Sequence, residues 1–355
     1  METLYYVRHG ITPDNLEERW CGGGNDAGLH PAGVEQAELV ARKIAETGIK
    51  PDIIISSPRL RARQTVQPIA TAIGYPDGEI VISDLFNERD FGTLEGQPHD
   101  AELLASYYEN ETAVDDNGGE NFAPFHARAS QGLEYLRGLD YKTGLVVAHG
   151  TLHRALERHI YQLPVDAPWP QPLGNAEMRK YDLTKPAVSI YDKRRTDFDS
   201  NLSSDIYAFH LSIRQWQTDN QNNVFSNFYE SKEDLPRIDE YYLEPGGNFF
   251  VATNDKTKEI AGIVGLRNDG NGLGEIKRMA VHPKLHRQKI GIRLVHELVN
   301  WARSEGFTKL HLFTGENENA KPLYEKFGFV KLMTVNEKFI IDGFSVDDNL
   351  MILKL

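Results

Sequence analysis

The chain has 355 residues, 40% hydrophobic and 26% charged, a length that favours two cores and a composition that excludes disorder, a fibrous repeat or a membrane class. Its formal net charge of -13 excludes general attraction to nucleic acid or to an anionic membrane surface, so any phosphate has to be bound by a local pocket. One cysteine, Cys21, rules out an intrachain disulfide framework and points to a reducing, cytoplasmic compartment.

The opening METLYYVRHG enters a strand-like run at once, without the basic and apolar regions of a secretory signal. Short β-rich runs at Leu4 to Val7, Ile53 to Ile55, Ile80 to Ile82 and Leu145 to Ala148 alternate with segments of helical period. Val34, Ala37, Val40, Ala41 and Ile44 lie on one helical face, preceded by Pro31 and closed by Gly48. Strands alternating with helices predict a mostly parallel sheet covered on both faces, an α/β domain. Between Tyr191 and Asp205 the sequence becomes polar and loses periodicity, which reads as a linker. We therefore expect domains over 1–190 and 206–355, joined by 191–205. The second begins with FFVAT, EIAGIVGL and EIKRMAV, continues through a helix bearing Leu294, Val295, Leu298 and Trp301, and ends with KLHLFT, a helix near Leu323 to Phe327 and further β-rich segments. None of these apolar runs is long enough to span a bilayer.

Arg8-His9-Gly10 closes the first strand, at the sheet edge where such folds build their sites. Thr12, Asn15 and Glu17-Glu18-Arg19 follow, then LHPAGVEQA (29–37), SSPRLRARQT (56–65), Glu88 to Gly92 with Glu95-Gly96, and VVAHG (146–150). In this order the segments resemble the histidine phosphatase superfamily, which has the phosphoglycerate mutase-like, three-layer α/β/α fold. The resemblance implies that His9 attacks a phosphomonoester to give a phosphohistidine, splitting one hard step into two. It implies that Arg8, Arg61 and His149 stabilise the charge on the transferring group, and that positive surroundings keep His9 neutral. Glu88 is the candidate general acid, with a surface ion pair to Arg89 as the competing reading. Asn15 and the backbone of Gly22 are implied phosphate contacts. The i, i+4 pair His149 and His153 has metal-ligand spacing, but His149 ends a strand, so no metal is expected. The segment from Gly96 to Phe125 is short and acidic (Glu102, Glu109, Glu111, Asp115, Asp116, Glu120), which favours hydrolysis over the phosphomutase alternative.

In the second half, GEIKRMAVHPKLHRQKIGIRLVHELVNWA with Asn317 to Ala320 and LYEKFGF (323–329) resembles the GCN5-related N-acetyltransferase (GNAT) family, an α+β acyl-CoA N-acyltransferase fold. The resemblance implies acetyl-CoA as acetyl donor, its pyrophosphate held at a helix N-terminus by Arg287, Gln288, Lys289, Gly291 and Ile292. Lys289 replaces the first glycine of the family pattern, and His286 stands at its first position. Met279 and Val281 are implied backbone contacts to the pantetheine arm, Asn317 a further contact, and Tyr324 the acid for the departing thiolate. Glu275 reads equally as a base for the acceptor amine and as a strand-edge carboxylate. Glu230, Glu233, Asp234, Asp239, Glu240 and Glu244 suggest a cationic amine acceptor, or a solvated helix face. The expected protein is thus bifunctional, acting on a small phosphomonoester and an amine. The alternatives are a phosphatase with a non-catalytic acetyl-CoA-sensing domain, or a phosphomutase.

Overall fold

A computed structural model describes residues 1–100, 118–164, 166–184, 188–194, 202–221, 234–315, 320–335 and 348–355. The chain divides into two units, Met1–Lys185 and Pro186–Leu355.

In the first unit, β1 (Thr3–Arg8), β2 (Ile53–Ser56), β3 (Val81–Ile82) and β4 (Thr143–Ala148) run parallel, and β5 (Met178–Asp182) adds antiparallel to β1. The order is β3-β2-β4-β1-β5. All four residues of β2 are buried, because both faces of the sheet are covered and each strand is apolar on both sides. Leu4, Tyr6, Ile55, Val146 and Ala148 pack under α4 (Phe122–Gly138) and α5 (Gly150–Tyr161). Val7, Ile54, Leu145 and Val147 pack against α2 (Pro31–Glu46) and α3 (Leu60–Ile73). The result is the expected three-layer α/β/α arrangement. A four-residue helix, α1 (Pro13–Leu16), follows the first strand and is capped by Thr12, whose hydroxyl accepts from the Asn15 amide.

The second unit holds a seven-stranded sheet of order β11-β12-β10-β9-β8-β7-β6. Its strands are β6 (Val188–Asp192), β7 (Asn248–Asn254), β8 (Ile260–Gly270), β9 (Leu273–Val281), β10 (Lys309–Gly315), β11 (Val330–Val335) and β12 (Asp348–Lys354). One face packs on α7 (Ile290–Ser304) through Leu294, Val295 and Leu298. The other face packs on α6 (Leu202–Gln221) and Tyr242 through Phe249, Val251 and Ile263. A short helix, α8 (Lys321–Glu325), follows β10. This is an α+β domain.

The division differs from the sequence expectation at one place. Val188–Asp192, read there as the end of the first domain and the start of the linker, pairs antiparallel with β7, Ile190 opposite Ala252. Its alternating side chains suit an edge strand of the second sheet. The second unit therefore begins upstream of Tyr191. No helix among the described residues is long and apolar enough to cross a membrane.

The turn after β1 interlocks with α2. A Cβ on Gly10 would stand 2.3 Å from the Gly33 carbonyl oxygen, and one on Gly33 would stand 2.1 Å from the Ile11 carbonyl oxygen. Both neighbours are backbone. Gly33→Ala should destabilise the first unit by about 1–3 kcal/mol, the usual cost of overpacking, measured as a lower urea midpoint with an unchanged slope. An unchanged midpoint would mean that the turn can yield.

Candidate active sites

The first site forms where β1 and β4 end side by side, with Arg8 registered opposite Ala148. His9 and His149 follow those residues, both buried, and their rings meet edge to face at 5.2 Å between centroids. His9 Nδ1 lies 2.7 Å from the Gly10 carbonyl oxygen. A carbonyl only accepts, so Nδ1 carries the hydrogen and Nε2 keeps its lone pair. Burial pushes the His9 pKa well below the ordinary 6.5, and the Arg61 and Arg8 charges push it the same way. Burial, followed by Arg61 and His9, likewise lowers His149. Both rings are neutral at physiological pH.

Arg61 sits in the first turn of α3 and is fully buried. Its Nη1 donates to the Asn25 carbonyl (2.8 Å) and Nη2 to the Gly22 carbonyl (2.9 Å), while its buried Nε has no hydrogen-bond partner among the described residues. A buried guanidinium held only by carbonyls is a site for an anion. Arg8 donates through Nη1 to the Leu173 carbonyl.

Glu88 is buried at the N-terminus of α5. Oε1 accepts from the Arg89 and Leu152 amides and Oε2 from the Thr151 amide, all at 2.9 Å. The competing ion pair with Arg89 does not form: the Arg89 Nε donates to the Glu120 carbonyl and its guanidinium lies over the Phe122 ring. Burial raises the Glu88 pKa and outweighs the amides and Arg61, which lower it. A carboxyl poised in this way can both give and take a proton.

Arg8, His9, Asn15, Cys21, Glu88 and Arg154 share a pocket of about 180 Å³. Asn15 Oδ1 accepts from Asn175 Nδ2, which also donates to the His9 carbonyl. Gly22 departs from its expected role, because its amide donates to Glu95 Oε2 at 2.7 Å and its carbonyl holds Arg61. Its backbone positions the guanidinium and has no amide left to offer a phosphate. His149 and His153 turn to different partners, Nε2 of the former 2.7 Å from Ser57 Oγ and Nε2 of the latter 2.5 Å from the Tyr181 hydroxyl.

Sequence reasoning missed several members of the site. The Tyr6 hydroxyl donates to the His149 carbonyl and accepts from its amide, fixing the backbone that carries the second histidine. In the sequence Tyr6 looks like any core residue of an apolar strand. Ser57 lies in the SSPR segment and offered a signal; Asn175 and Arg154 offered none.

In the second unit, β9 and β10 pair in parallel only over Leu273–Glu275 and Lys309–His311. Beyond this, a cavity of about 620 Å³ lies against Ile276 and Met279 of β9, Phe313 and Thr314 of β10, and Leu323 and Tyr324 near α8. The β8–β9 register shifts between Ile263 and Gly265, where Arg278 takes a φ of 58°. Such a bulge re-aims backbone groups next to a site.

The loop before α7 has left-handed residues at Arg287 (φ 62°) and Lys289 (φ 58°), the latter being the helix N-cap. Lys289 thus adopts the conformation that a glycine would take freely. Among the described residues, the buried Gln288 has no partner for its Nε2. A Cβ on Gly291 would come within 3.0 Å of Met279 Cε, so the helix start packs directly on β9, with Ile292 buried behind it. Unbonded first-turn amides, an orphaned amide nitrogen and a strand pair that parts form a cradle that suits a pyrophosphate with an extended arm. His286 Nε2 donates to the Val281 carbonyl (3.0 Å), so that carbonyl already has one partner.

Tyr324 is 5% exposed, lies edge-on to Phe329, and burial raises its phenol above the ordinary value. Glu275 is buried and engaged by Arg267 Nη2 at 2.6 Å and Lys277 Nζ at 3.3 Å. Of the described residues of the acidic run, Asp234 lines the cavity, whereas Asp239 and Glu240 pair at the surface with Lys193 and Arg237 and Glu244 is exposed, in keeping with the solvated-face reading. Asn317, Glu230 and Glu233 lie outside the described residues. Among the described residues no group of three or more His, Cys, Asp or Glu side chains is arranged to hold a metal ion.

The family model described as the histidine phosphatase superfamily (branch 1) matches residues 4–191, and that of the acetyltransferase (GNAT) family matches residues 211–329. The chain belongs to the histidine phosphatase superfamily and carries a GNAT domain after it. A 2,3-bisphosphoglycerate-dependent phosphoglycerate mutase from Chelativorans sp. is 34% identical over 165 residues, covering 43% of this chain and 79% of that protein. Among solved structures, a mycobacterial glucosyl-3-phosphoglycerate phosphatase matches with a TM-score of 0.45 at 24% identity, over 50% of this chain and 89% of its own. A phosphoserine phosphatase from Entamoeba histolytica matches with a TM-score of 0.42 at 28% identity, over 51% and 90%.

The buried neutral histidines give the first unit a pH-dependent stability. His9, His149 and His126, the last with its pKa lowered to about 3 by burial and then by His159, Arg158 and Arg89, bind protons more readily in the unfolded chain, near the ordinary 6.5. Their contribution is therefore complete above that value and is lost as pH falls below it, at about 1.4 kcal/mol per pH unit for each ring that stays neutral. Urea titrations from about pH 7.5 to about pH 5 should show this slope, and His126→Phe should remove one proton's share of it. A slope that His126→Phe leaves unchanged would assign the protons elsewhere.

Proposed function

We propose that the chain is a bifunctional enzyme, which hydrolyses a phosphomonoester through a phosphohistidine at His9 and transfers an acetyl group to an amine. The observation that carries the first activity is the bond from His9 Nδ1 to the Gly10 carbonyl, which leaves Nε2 as the nucleophile beside Arg8, Arg61 and His149. In the first step Nε2 attacks phosphorus, the ester P–O bond breaks, and the Glu88 carboxyl gives its proton to the departing alkoxide. Arg8, Arg61, His149 and Asn15 donate to the phosphoryl oxygens, whose charge is the main thing to stabilise. In the second step the Glu88 carboxylate takes a proton from water, the water oxygen attacks phosphorus, the P–N bond breaks with its electron pair returning to His9 Nε2, and phosphate leaves. The amides of Arg89, Thr151 and Leu152 support the anionic form between the two steps.

A phosphomutase is the second reading. The 34% identical mutase relative favours it. The two differ in whether the phosphoryl group passes to water or to a second substrate.

In the GNAT domain, bound acetyl-CoA supplies an activated thioester. Arg287, Gln288, Lys289, Gly291 and Ile292 would hold its pyrophosphate with the first-turn amides of α7, and the backbone of Met279 and Val281 would orient the arm. Tyr324, protonated well past neutral pH, donates to the leaving sulfur, and Glu275 accepts the amine proton directly or through water. A domain that binds acetyl-CoA without turnover is the alternative.

His9→Ala should reduce phosphate release from a metabolite library by about a thousandfold or more, while a chelator leaves the wild-type rate unchanged. Persistent release by the variant would remove the phosphohistidine. Transfer of the phosphoryl group to a second substrate without release of free phosphate would favour the mutase. Tyr324→Phe should slow thiol release about a hundredfold and leave coenzyme A affinity, read by calorimetry, as it was. Equal rates at every pH would take Tyr324 out of the acid role.

A further inference from the structure

Among the described residues, the second cavity is lined by three cations, Arg267, Lys277 and Arg278, and two carboxylates, Asp234 and Glu275. Neither carboxylate is available to a ligand cation. Asp234 Oδ2 takes Arg278 Nε at 2.8 Å and the Tyr242 hydroxyl at 2.6 Å, and Oδ1 takes Arg278 Nη2 at 2.9 Å. Glu275 Oε2 takes Arg267 Nη2 at 2.6 Å. The same carboxylate is shared by Lys277 Nζ, at 3.3 and 3.4 Å from its two oxygens. Asp269, which is not part of the cavity wall, holds Arg267 Nε from behind at 2.8 Å and is itself met by His311.

The donors are less fully used. An ammonium presents three hydrogens and a guanidinium five. Lys277, 30% exposed, shares one distant carboxylate with a guanidinium that lies closer to it. Among the described residues, a cationic ligand would have to break one of these pairs to find a counter-charge, and stranding a charge in this way is costly. An anionic group meets Lys277 and Arg267 with hydrogens to spare.

We propose that the acetyl acceptor is an amine that also bears an anionic group, a carboxylate or a phosphate, which Lys277 and Arg267 receive. This rests on the acetyl-transfer reading for its chemistry, but the anion site itself does not. The same two cations favour the uncharged form of a nearby amine, because a positive neighbour lowers an amine pKa. Anchoring the anion and readying the nucleophile are thus one electrostatic effect.

The test uses the full chain and acetylated products, whose binding requires no turnover. With coenzyme A present, calorimetry compares N-acetylated amino acids with their carboxamides, and N-acetylphosphoethanolamine with N-acetylethanolamine. The carboxylate or the phosphate member should bind at least about tenfold tighter than its uncharged partner, and the arm that shows this identifies the anion. Lys277→Gln should abolish that preference, Lys277→Arg should keep it, and thermal melting should show both variants folded. Equal binding of charged and uncharged partners, or a preference that survives Lys277→Gln, overturns the proposal, as does the absence of Lys277-dependent binding by every anionic member. Thiol release from acetyl-CoA, run on the parent amines, separates the two readings. Anion-selective binding without thiol release would sink catalysis and leave the site standing, whereas turnover that favours amines lacking an anion would sink the site and leave catalysis.

Discussion

The guanidinium of Arg61 is a full charge in a fully buried place, held by two backbone carbonyls and by no carboxylate among the described residues. Burying a cation in this way is tolerable only if the surroundings are built for it. The segment from Gly22 to Asn25 supplies the carbonyls, and Glu95 in turn fixes the amides of Gly22 and Gly24. The same charge helps keep His9 and His149 unprotonated and moderates the raised pKa of Glu88. His9, His149 and Glu88 thus take their protonation states from one buried positive group and from exclusion of water. Electrostatic preorganisation of this kind is in place before substrate arrives.

Much of this was legible in the sequence, for identifiable reasons. The strands of the first sheet are apolar on both faces and short, so their ends, where Arg8-His9 and VVAHG stand, could be read directly. The resemblance of SSPRLRARQT to the histidine phosphatase segment named Arg61. What the sequence hid was backbone chemistry. That the Gly22 amide is taken by Glu95, that Glu88 sits on helix amides instead of Arg89, and that the Tyr6 hydroxyl clamps His149 all depend on main-chain groups that every residue possesses. Side-chain patterns do not encode which of them will be free.

The second unit shows the same limit from another direction. The run of acidic residues before β7 suggested either a cationic acceptor or a solvated face, since composition gives the charges of a segment but not their partners. In the fold Asp239 and Glu240 pair at the surface, and Asp234 is consumed by Arg278. Lys289 is the converse case. A lysine where relatives carry glycine raised a question of close approach, and the backbone answers it by taking the left-handed conformation with the side chain in place. The edge strand β6 escaped notice because its five residues border a polar stretch, and only pairing with β7 defines it.

His9 and His149 are carried on hydrogen-bonded neighbours whose register matches residue for residue from Thr3 with Thr143 to Arg8 with Ala148. A single inserted or deleted residue in either strand would slide one ring past the other by about 3.3 Å and turn its side chain to the opposite face. The two histidines therefore share one length constraint, although 140 positions apart in sequence by their numbers (149 − 9). A change of length that keeps the two rings aligned has to fall in the connections that leave the strand ends. The strands themselves can exchange residues but cannot change length.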